Sequence, residues 1–485
     1  MVGGSFMIFS STLFIFVFLP FTILLYYIVP KKFLMVKNLV LLLTSLVFYA
    51  WGEPVVIGVM LLSILVNYLC GLRLGSCQAK ERKGRGTVVF TVLFNLGLLG
   101  FFKYANFAVD NINALSGMQI PSVNIMLPIG ISFFTFQILS YTLDVYRRKT
   151  KPQKNLFSLA LYISFFPQLI AGPIVRYVDI EEQLSKREHS VSKFAQGVQR
   201  FIVGFSKKIL IANTMAVFAD MAFQRSDLSA PMAWVGIVAY ALQIYFDFSG
   251  YSDMAIGLGK MFGFTFLENF NYPYIAPSVQ NFWRRWHISL SSWFRDYLYI
   301  PLGGNRKGNA RTYLNLLVVF FATGLWHGAS WSFVIWGLWH GLFMMIERAF
   351  LGKLLARLPK LIGWIYTMLV VLIGWVVFRA ETLTAALQYL QAMFTVTDGG
   401  LQILLANIDL RVITAMLIGI IGSAPIVPWL RKVCFDGQLP MEARLSGFRQ
   451  WTMATVSLTV CLGLFVFSVV FLTGSDFNPF LYFRF

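Results

Sequence analysis

Uncharged apolar stretches recur from one end of this chain to the other, and short polar connections separate them. They fall near 8–29, 36–51, 54–72, 87–105, 124–145, 155–172, 196–222, 232–262, 312–350, 361–378, 409–429 and 451–473. A membrane-crossing helix needs about 20 apolar residues, and some of these stretches are too short or too long for one helix. The pattern predicts an all-α polytopic integral membrane protein with about 11 transmembrane helices plus re-entrant or interfacial helices.

Composition supports this class. Of the 485 residues, 58% are hydrophobic and 13% are charged, whereas soluble domains carry about 25% charged residues. The net charge of +19 would suggest a nucleic-acid partner in a soluble protein. Here the basic residues collect in short loops, so membrane topology and anionic lipid headgroups explain the excess, and no nucleic-acid partner is expected.

The distribution of lysine and arginine predicts how the chain is oriented. Connections rich in lysine and arginine, such as "PKK", 73–86 and "YRRKTKPQK", alternate with connections that have few basic residues. One of the latter is 103–123, which holds only Lys103. The positive-inside rule then places the N-terminus outside the membrane. We find no aqueous domain of useful size, so we expect one membrane-embedded domain over 1–485.

The four cysteines form no metal-binding or disulfide pattern. Cys70, Cys77, Cys434 and Cys461 make no CxxC motif and no Cys/His cluster. We therefore expect no metal site and no disulfide framework.

An aromatic and basic segment begins at 272, "NYPYIAPSVQNFWRRWHISLSSWFRDYLYIPLGGNRKGNAR". Helical spacing predicts one apolar stripe formed by Phe282, Trp286, Leu290, Trp293 and Tyr297. Arg284 and Arg285 lie off this stripe. The segment is either an interfacial amphipathic helix or a site where the arginines meet an anionic substrate, such as the phosphates of a nucleotide-containing cofactor.

The pentapeptide "GLWHG" occurs twice, at 324–328 and 337–341. No charged residue lies between Arg311 and Glu347, and one helix of that length would run about 52 Å against a hydrocarbon core of about 30 Å. The helix must therefore bend or break, and "HGASWS" at 327–332 is the best place.

His327 then lies at irregular backbone and His340 within the next helix. In a continuous helix they would be about 20 Å apart and could not easily serve one spot. The spacing favours His327 over His340 as the functional histidine. The alternative is that the histidine has only a structural role.

A second polar patch, "QIYFDFSGYSDMAIGLG", places Asp247 and Asp253 in a stretch otherwise able to span the membrane. Buried carboxylates usually face a cavity or a cationic partner. Both a substrate-binding role and a structural pairing with an arginine of another helix fit.

Many fragments in order resemble one family: "LVFYAWGEP", "FFKYANF", "LPIGISFFTFQ", "FFPQLIAGPIVR", "ENFNYPY", "FWRRWHISLSSWFRDYLYIPLGGNRKG" and "GLWHGASWSFVIWGLWHG". The chain resembles the membrane-bound O-acyltransferase family over a core of about 120–350, and the helices of 400–485 diverge. The resemblance implies a ring of tilted helices around a central tunnel. It also implies that the histidine of the first "WHG", His327, and that of "WRRWHISLS", His287, are catalytic. We take Arg284, Arg285, Trp286, Trp326, Asp247 and Asp253 as candidate substrate-binding residues.

The activity implied is transfer of an acyl group, acetyl in the first instance, from a cytoplasmic donor towards an extracytoplasmic polysaccharide such as alginate. Acetyl-CoA is the expected donor, with an acyl carrier protein as the alternative. The resemblance also implies a bacterial inner-membrane location and a separate periplasmic or surface acetyltransferase partner of the SGNH type, with a Ser-His-Asp site. O-acetylation of peptidoglycan or another exopolysaccharide, D-alanyl transfer, a transporter or flippase, and a scaffold remain alternatives. His327 could act as a base or carry the acyl group itself.

Overall fold

A computed structural model describes residues 7–52, 54, 56–123, 125–225, 227–395, 399–426, 428–429 and 447–474. The helices of its first half are α1 Leu19–Ile28, α2 Leu34–Gly52, α3 Ile57–Ala79, α4 Arg85–Ser116, α5 Ile131–Tyr146, α6 Leu156–Ser164, α7 Phe166–Leu169, α8 Tyr177–Ser185, α9 Val191–Ser206, α10 Asn213–Gln224 and α11 Ala230–Met261. Those of its second half are α12 Val279–Trp283, α13 Ile288–Phe294, α14 Gly308–His327, α15 Trp331–Ile346, α16 Gly352–Leu355, α17 Lys360–Arg379, α18 Leu383–Phe394, α19 Gly400–Asn407, α20 Leu410–Gly422 and α21 Gly447–Thr473. The all-helical prediction is confirmed.

Eight helical segments in the described part of the chain are long and apolar enough to cross a membrane, and the bent pair α19 and α20 would make nine. The chain is therefore a multi-pass membrane protein. The expected number of about 11 spans is not confirmed, since several apolar stretches form short or broken helices instead.

The stretch 155–172 is one apolar stretch that does not form a helix long enough to cross a membrane. It forms α6 and α7, of nine and four residues, and α6 is only about 14 Å long. Pro167 has no N–H with which to continue the hydrogen bonding of α6, and the helix is interrupted at Phe165, whose ψ is 109°. Both ends of this stretch lie on one side of the protein, because Thr150 donates a hydrogen bond to Glu181 at 2.5 Å. The stretch therefore turns back on itself instead of running straight across the molecule.

The buried apolar residues form two cores. One contains the N-terminal helices together with Leu290, Trp293 and Trp326, and the other contains α10, α17 and α18 together with Trp286 and Phe320. Several segments cross from one core to the other, among them α11, α14 and the 279–299 segment. We call the boundary that they cross the seam.

Basic loops gather on one face of the molecule. Lys31 donates a hydrogen bond to the His189 carbonyl at 3.3 Å, and Lys193 donates to that of Gly263 at 2.6 Å. α8 joins this cluster to the 147–155 connection through Gln153, which donates to Tyr177 at 2.8 Å. The connections that the sequence marks as basic are thus neighbours in space.

Candidate active site

The predicted break in the 312–350 segment is confirmed. α14 ends at His327 and α15 begins at Trp331. The last carbonyls of a helix have no partner within it, and α4 supplies those partners here. Lys103 Nζ donates to the carbonyls of Trp326 at 2.6 Å and His327 at 3.1 Å, and the Tyr104 hydroxyl donates to that of Leu325. The end of α14 that carries His327 is therefore held by a neighbouring helix.

This cap lies far along α4 from the basic residues at its start. Lys103 is about 27 Å along α4 from Arg85, and it lies inside the helix rather than in the 103–123 connection where the sequence analysis placed it. α4 continues to Ser116 and ends at Gly117, whose φ of +71° is the left-handed conformation that closes a helix. The placement of Lys103 in a loop was wrong.

The His327 ring is enclosed by aromatic rings. Its centroid lies 4.9 Å from that of Trp336, 5.0 Å from Trp326 and 5.2 Å from Phe378, all in edge-to-face arrangements. Its Nδ1 has no hydrogen-bond partner among the described residues. An apolar surrounding disfavours imidazolium, so the ring is suited to act as a neutral base.

His287 lies where the 279–299 segment crosses the seam. Its backbone has φ of +43°, a left-handed conformation that costs a non-glycine residue about 1–3 kcal/mol. Consequently the segment is not one helix but two, α12 and α13, and the prediction of a continuous stripe was wrong. Its five members are all buried, but Phe282 and Trp286 enter one core and Leu290, Trp293 and Tyr297 the other.

Trp326 lies against both histidines. Its ring centroid is 6.0 Å from that of His287 and 5.0 Å from that of His327. The two imidazoles come from elements 40 positions apart in the chain and meet at one indole on the seam. His327 keeps 6% of its surface accessible and His287 1%.

His340 lies in the surroundings expected of a histidine with a structural role. It is fully buried at 0% exposure, and neither ring nitrogen has a hydrogen-bond partner among the described residues. Its ring contacts Trp283 at 5.1 Å and Trp336 at 5.2 Å. Because the helix breaks, His327 and His340 touch the same Trp336, so the separation expected for a continuous helix does not apply.

The basic and aromatic candidates occupy different environments. Arg284 is exposed. Arg285 is engaged with its own loop, since it donates to Asn281 Oδ1 at 2.7 Å and to the Asn271 carbonyl at 3.0 Å. Trp286 is buried 5.0 Å from Trp375, a packing position.

Both acidic candidates are paired with basic residues of the adjacent helix. Asp247 forms a 2.7 Å ion pair with Lys208. Asp253 pairs with Arg200 at 2.6 Å and with Lys207 at 2.7 Å. The structure does not bring either carboxylate to the two histidines, and these contacts match the structural alternative.

Sequence reasoning passed over Asn269, Lys103 and Trp336. Asn269 stands in the quoted "ENFNYPY", and its burial at the seam comes from tertiary folding. The described residues contain no group of three or more His, Cys, Asp or Glu side chains that could hold a metal ion. The chemistry available at the site is that of the His327 and His287 imidazoles.

Comparison with known proteins identifies the family. A sequence model of the membrane-bound O-acyltransferase family matches residues 86–380. A relative named as a probable alginate O-acetylase, from Azotobacter vinelandii, is 42% identical over 99% of this chain and 100% of its own length.

More divergent relatives have other named activities. A peptidoglycan O-acetyltransferase of Helicobacter pylori is 39% identical over 80% of each chain. A teichoic acid D-alanyltransferase of Bacillus subtilis is 30% identical over 47% of this chain and 61% of its own. The match to the family model covers more than half of the chain, and it includes both histidines at the seam. The chain is an acyltransferase that belongs to the membrane-bound O-acyltransferase family.

Proposed function

We propose that this protein passes an acetyl group from cytoplasmic acetyl-CoA across the bacterial inner membrane for O-acetylation of an extracytoplasmic polysaccharide of the alginate type. The observation that carries the proposal is the meeting of His287 and His327 at Trp326 on the seam. The relative that matches the chain end to end is named for alginate acetylation.

In the proposed reaction, an acceptor hydroxyl attacks the carbonyl carbon of the donor thioester. A carbon–oxygen bond forms, the carbon–sulfur bond breaks, and the proton of the hydroxyl passes through an imidazole to the departing thiolate. A positioned base of this kind contributes about 10²–10⁴-fold. His327 is our choice for the base, with His287 opposite it across Trp326.

The acyl group would move along the seam between the two cores, since ligand sites favour such boundaries. The basic face would be cytoplasmic by the positive-inside rule, which puts the N-terminus outside. The exposed Arg284 is available to the phosphates of the donor. A separate periplasmic acetyltransferase of the SGNH type would receive the acetyl group and complete its transfer to the polymer.

The test uses an alginate-producing bacterium whose own acetylase gene is deleted. His327→Ala should abolish polymer acetylation, measured by NMR of the isolated polysaccharide, while immunoblots show an unchanged amount of protein. His189→Asn, a histidine change on the basic face far from the seam, serves as the control and should keep acetylation. Full acetylation by the His327→Ala variant would refute the proposal.

Peptidoglycan is the second candidate acceptor, because a relative 39% identical over 80% of the chain is named for that activity. Muropeptide analysis of the host with and without the gene separates the two acceptors. Acetylated muropeptides that vanish with the gene, beside an unaltered exopolysaccharide, would select peptidoglycan.

A further inference from the structure

A buried polar cluster surrounds the Nδ1 side of His287. Asn269 Oδ1 lies 3.2 Å from His287 Nδ1, 3.2 Å from the Ser289 backbone nitrogen and 2.9 Å from Ser289 Oγ. Asn269 Nδ2 donates to Ser252 Oγ at 3.1 Å. All four residues are buried, so these hydrogen bonds are made without competition from bulk water.

The orientation of the Asn269 amide follows from its neighbours. A backbone N–H can only donate, so the atom facing the Ser289 nitrogen must be the oxygen. The amide nitrogen then faces Ser252, whose hydroxyl can accept. Because Asn269 Oδ1 is an acceptor only, a hydrogen bond from the His287 ring requires a proton on Nδ1.

Ser289 offers the one competing arrangement. Its hydroxyl lies 3.4 Å from His287 Nδ1 and could donate there. The same hydroxyl is 2.9 Å from Asn269 Oδ1 and accepts from the Ile174 backbone nitrogen at 3.0 Å. The shorter contact is the better hydrogen bond. Donation to Nδ1 would also leave two acceptors, Nδ1 and Oδ1, facing each other at 3.2 Å.

We propose that Asn269 is a positioning residue that fixes the His287 tautomer with its proton on Nδ1, which leaves the Nε2 lone pair to accept a hydrogen bond during acyl transfer. His287 Nε2 is buried without a hydrogen-bond partner among the described residues, and the ring lies edge-to-face 4.6 Å from Phe248. His327 has no such partner at Nδ1. The pair therefore divides into one imidazole whose Nδ1 is held and one whose Nδ1 has no partner among the described residues. The role of Nε2 in acyl transfer rests on the proposed function, whereas the assignment of the tautomer does not.

The tautomer can be read directly by solid-state NMR. The full-length protein is labelled with [15Nδ1]histidine and reconstituted in liposomes at about pH 8, where model imidazole is neutral. The chain has four histidines, and the His287 signal is the one that disappears in His287→Gln. We expect a protonated-type Nδ1 signal in the wild type and in Asn269→Asp, which keeps the acceptor oxygen. We expect an unprotonated-type or mixed signal in Asn269→Ala.

An unprotonated His287 Nδ1 in the wild type would overturn the proposal, and this measurement needs no variant at position 269 to fold. Acetylation is measured beside it. Asn269→Ala should lose about tenfold or more, and Asn269→Asp should recover most of that loss. If Asn269→Ala changes the signal yet acetylates normally, the role of the tautomer in transfer is refuted. Normal acetylation by His327→Ala would refute the proposed function instead, while the NMR result would stand.

Discussion

Gly337 packs directly on Gly324 where α14 and α15 cross. A Cβ atom built on Gly337 would lie 3.1 Å from the Gly324 Cα and too close to the carbonyl oxygen of Phe320. These are the first glycines of the two "GLWHG" pentapeptides. Small residues let membrane helices approach closely, so the repeated pentapeptide reflects one tight crossing of two helices. In each helix a tryptophan and a histidine follow the glycine at the crossing.

Gly337→Ala should therefore destabilise the protein. Overpacking of this kind costs about 1–3 kcal/mol, and we expect a smaller monodisperse peak in detergent and a lower thermal midpoint. Gly97→Ala is the matched control, because a Cβ there meets no atom within 4 Å. Equal behaviour of the two variants would contradict the crossing.

Lys103→Met should impair transfer more than folding. The change leaves the Trp326 and His327 carbonyls without their donor and loosens the helix end that carries His327. Misplacement of a reacting group by about 1 Å can cost 10²-fold, so we expect a fall in kcat on the order of 10- to 100-fold with KM for the donor unchanged.

The control for Lys103→Met is Tyr389→Phe. It removes a buried hydrogen bond from the Tyr389 hydroxyl to the Ala233 carbonyl, 2.8 Å long, in the other core. Its thermal midpoint should fall while kcat stays near that of the wild type. A Lys103→Met variant with normal kcat would show that the cap has no part in transfer.

The ion pair between Asp247 and Lys208 should be structural. The two side chains are 3% and 2% exposed, and removal of one partner from such a pair costs about 3–5 kcal/mol. Asp247→Leu should therefore lower the yield of folded protein sharply. The double variant Asp247→Leu with Lys208→Met removes both charges and should restore folding and acetylation. A double variant that folds but is inactive would instead assign Asp247 to the substrate.

His189 predicts a pH dependence of stability on the basic face. Partial burial, then Arg187, Lys37, Lys31 and Lys193, lower its pKa to about 4 from the ordinary 6.5. The unfolded chain therefore binds the proton more readily, so stability from this residue is complete above about pH 6.5 and falls as the pH drops towards 4. The thermal midpoint of the wild type should fall more between pH 7 and pH 5 than that of His189→Asn. If the thermal midpoints of the two proteins changed equally with pH, this prediction would be wrong.

The sequence alone determined the membrane class, the break in the 312–350 segment and the family. Each depends on local information. The membrane class follows from the length of the apolar stretches, the break from a segment too long for one membrane-crossing helix, and the family from the order of its motifs. It also singled out His327 and His287 through the resemblance. The expected count of about 11 spans was not confirmed, because hydropathy does not tell a crossing helix from short or broken helices such as the α6 and α7 of 155–172.

The tertiary structure alone decided which polar groups meet. Asp247 and Asp253 look like site residues in the sequence, yet Lys208, Arg200 and Lys207 neutralise them from an adjacent helix. Nothing in the sequence marks Lys103 or Asn269 as a site residue, yet one caps the His327 helix and the other binds His287. The cause is physical: a buried polar group must find its partner within the protein, and the partner is chosen by packing between elements far apart in the chain.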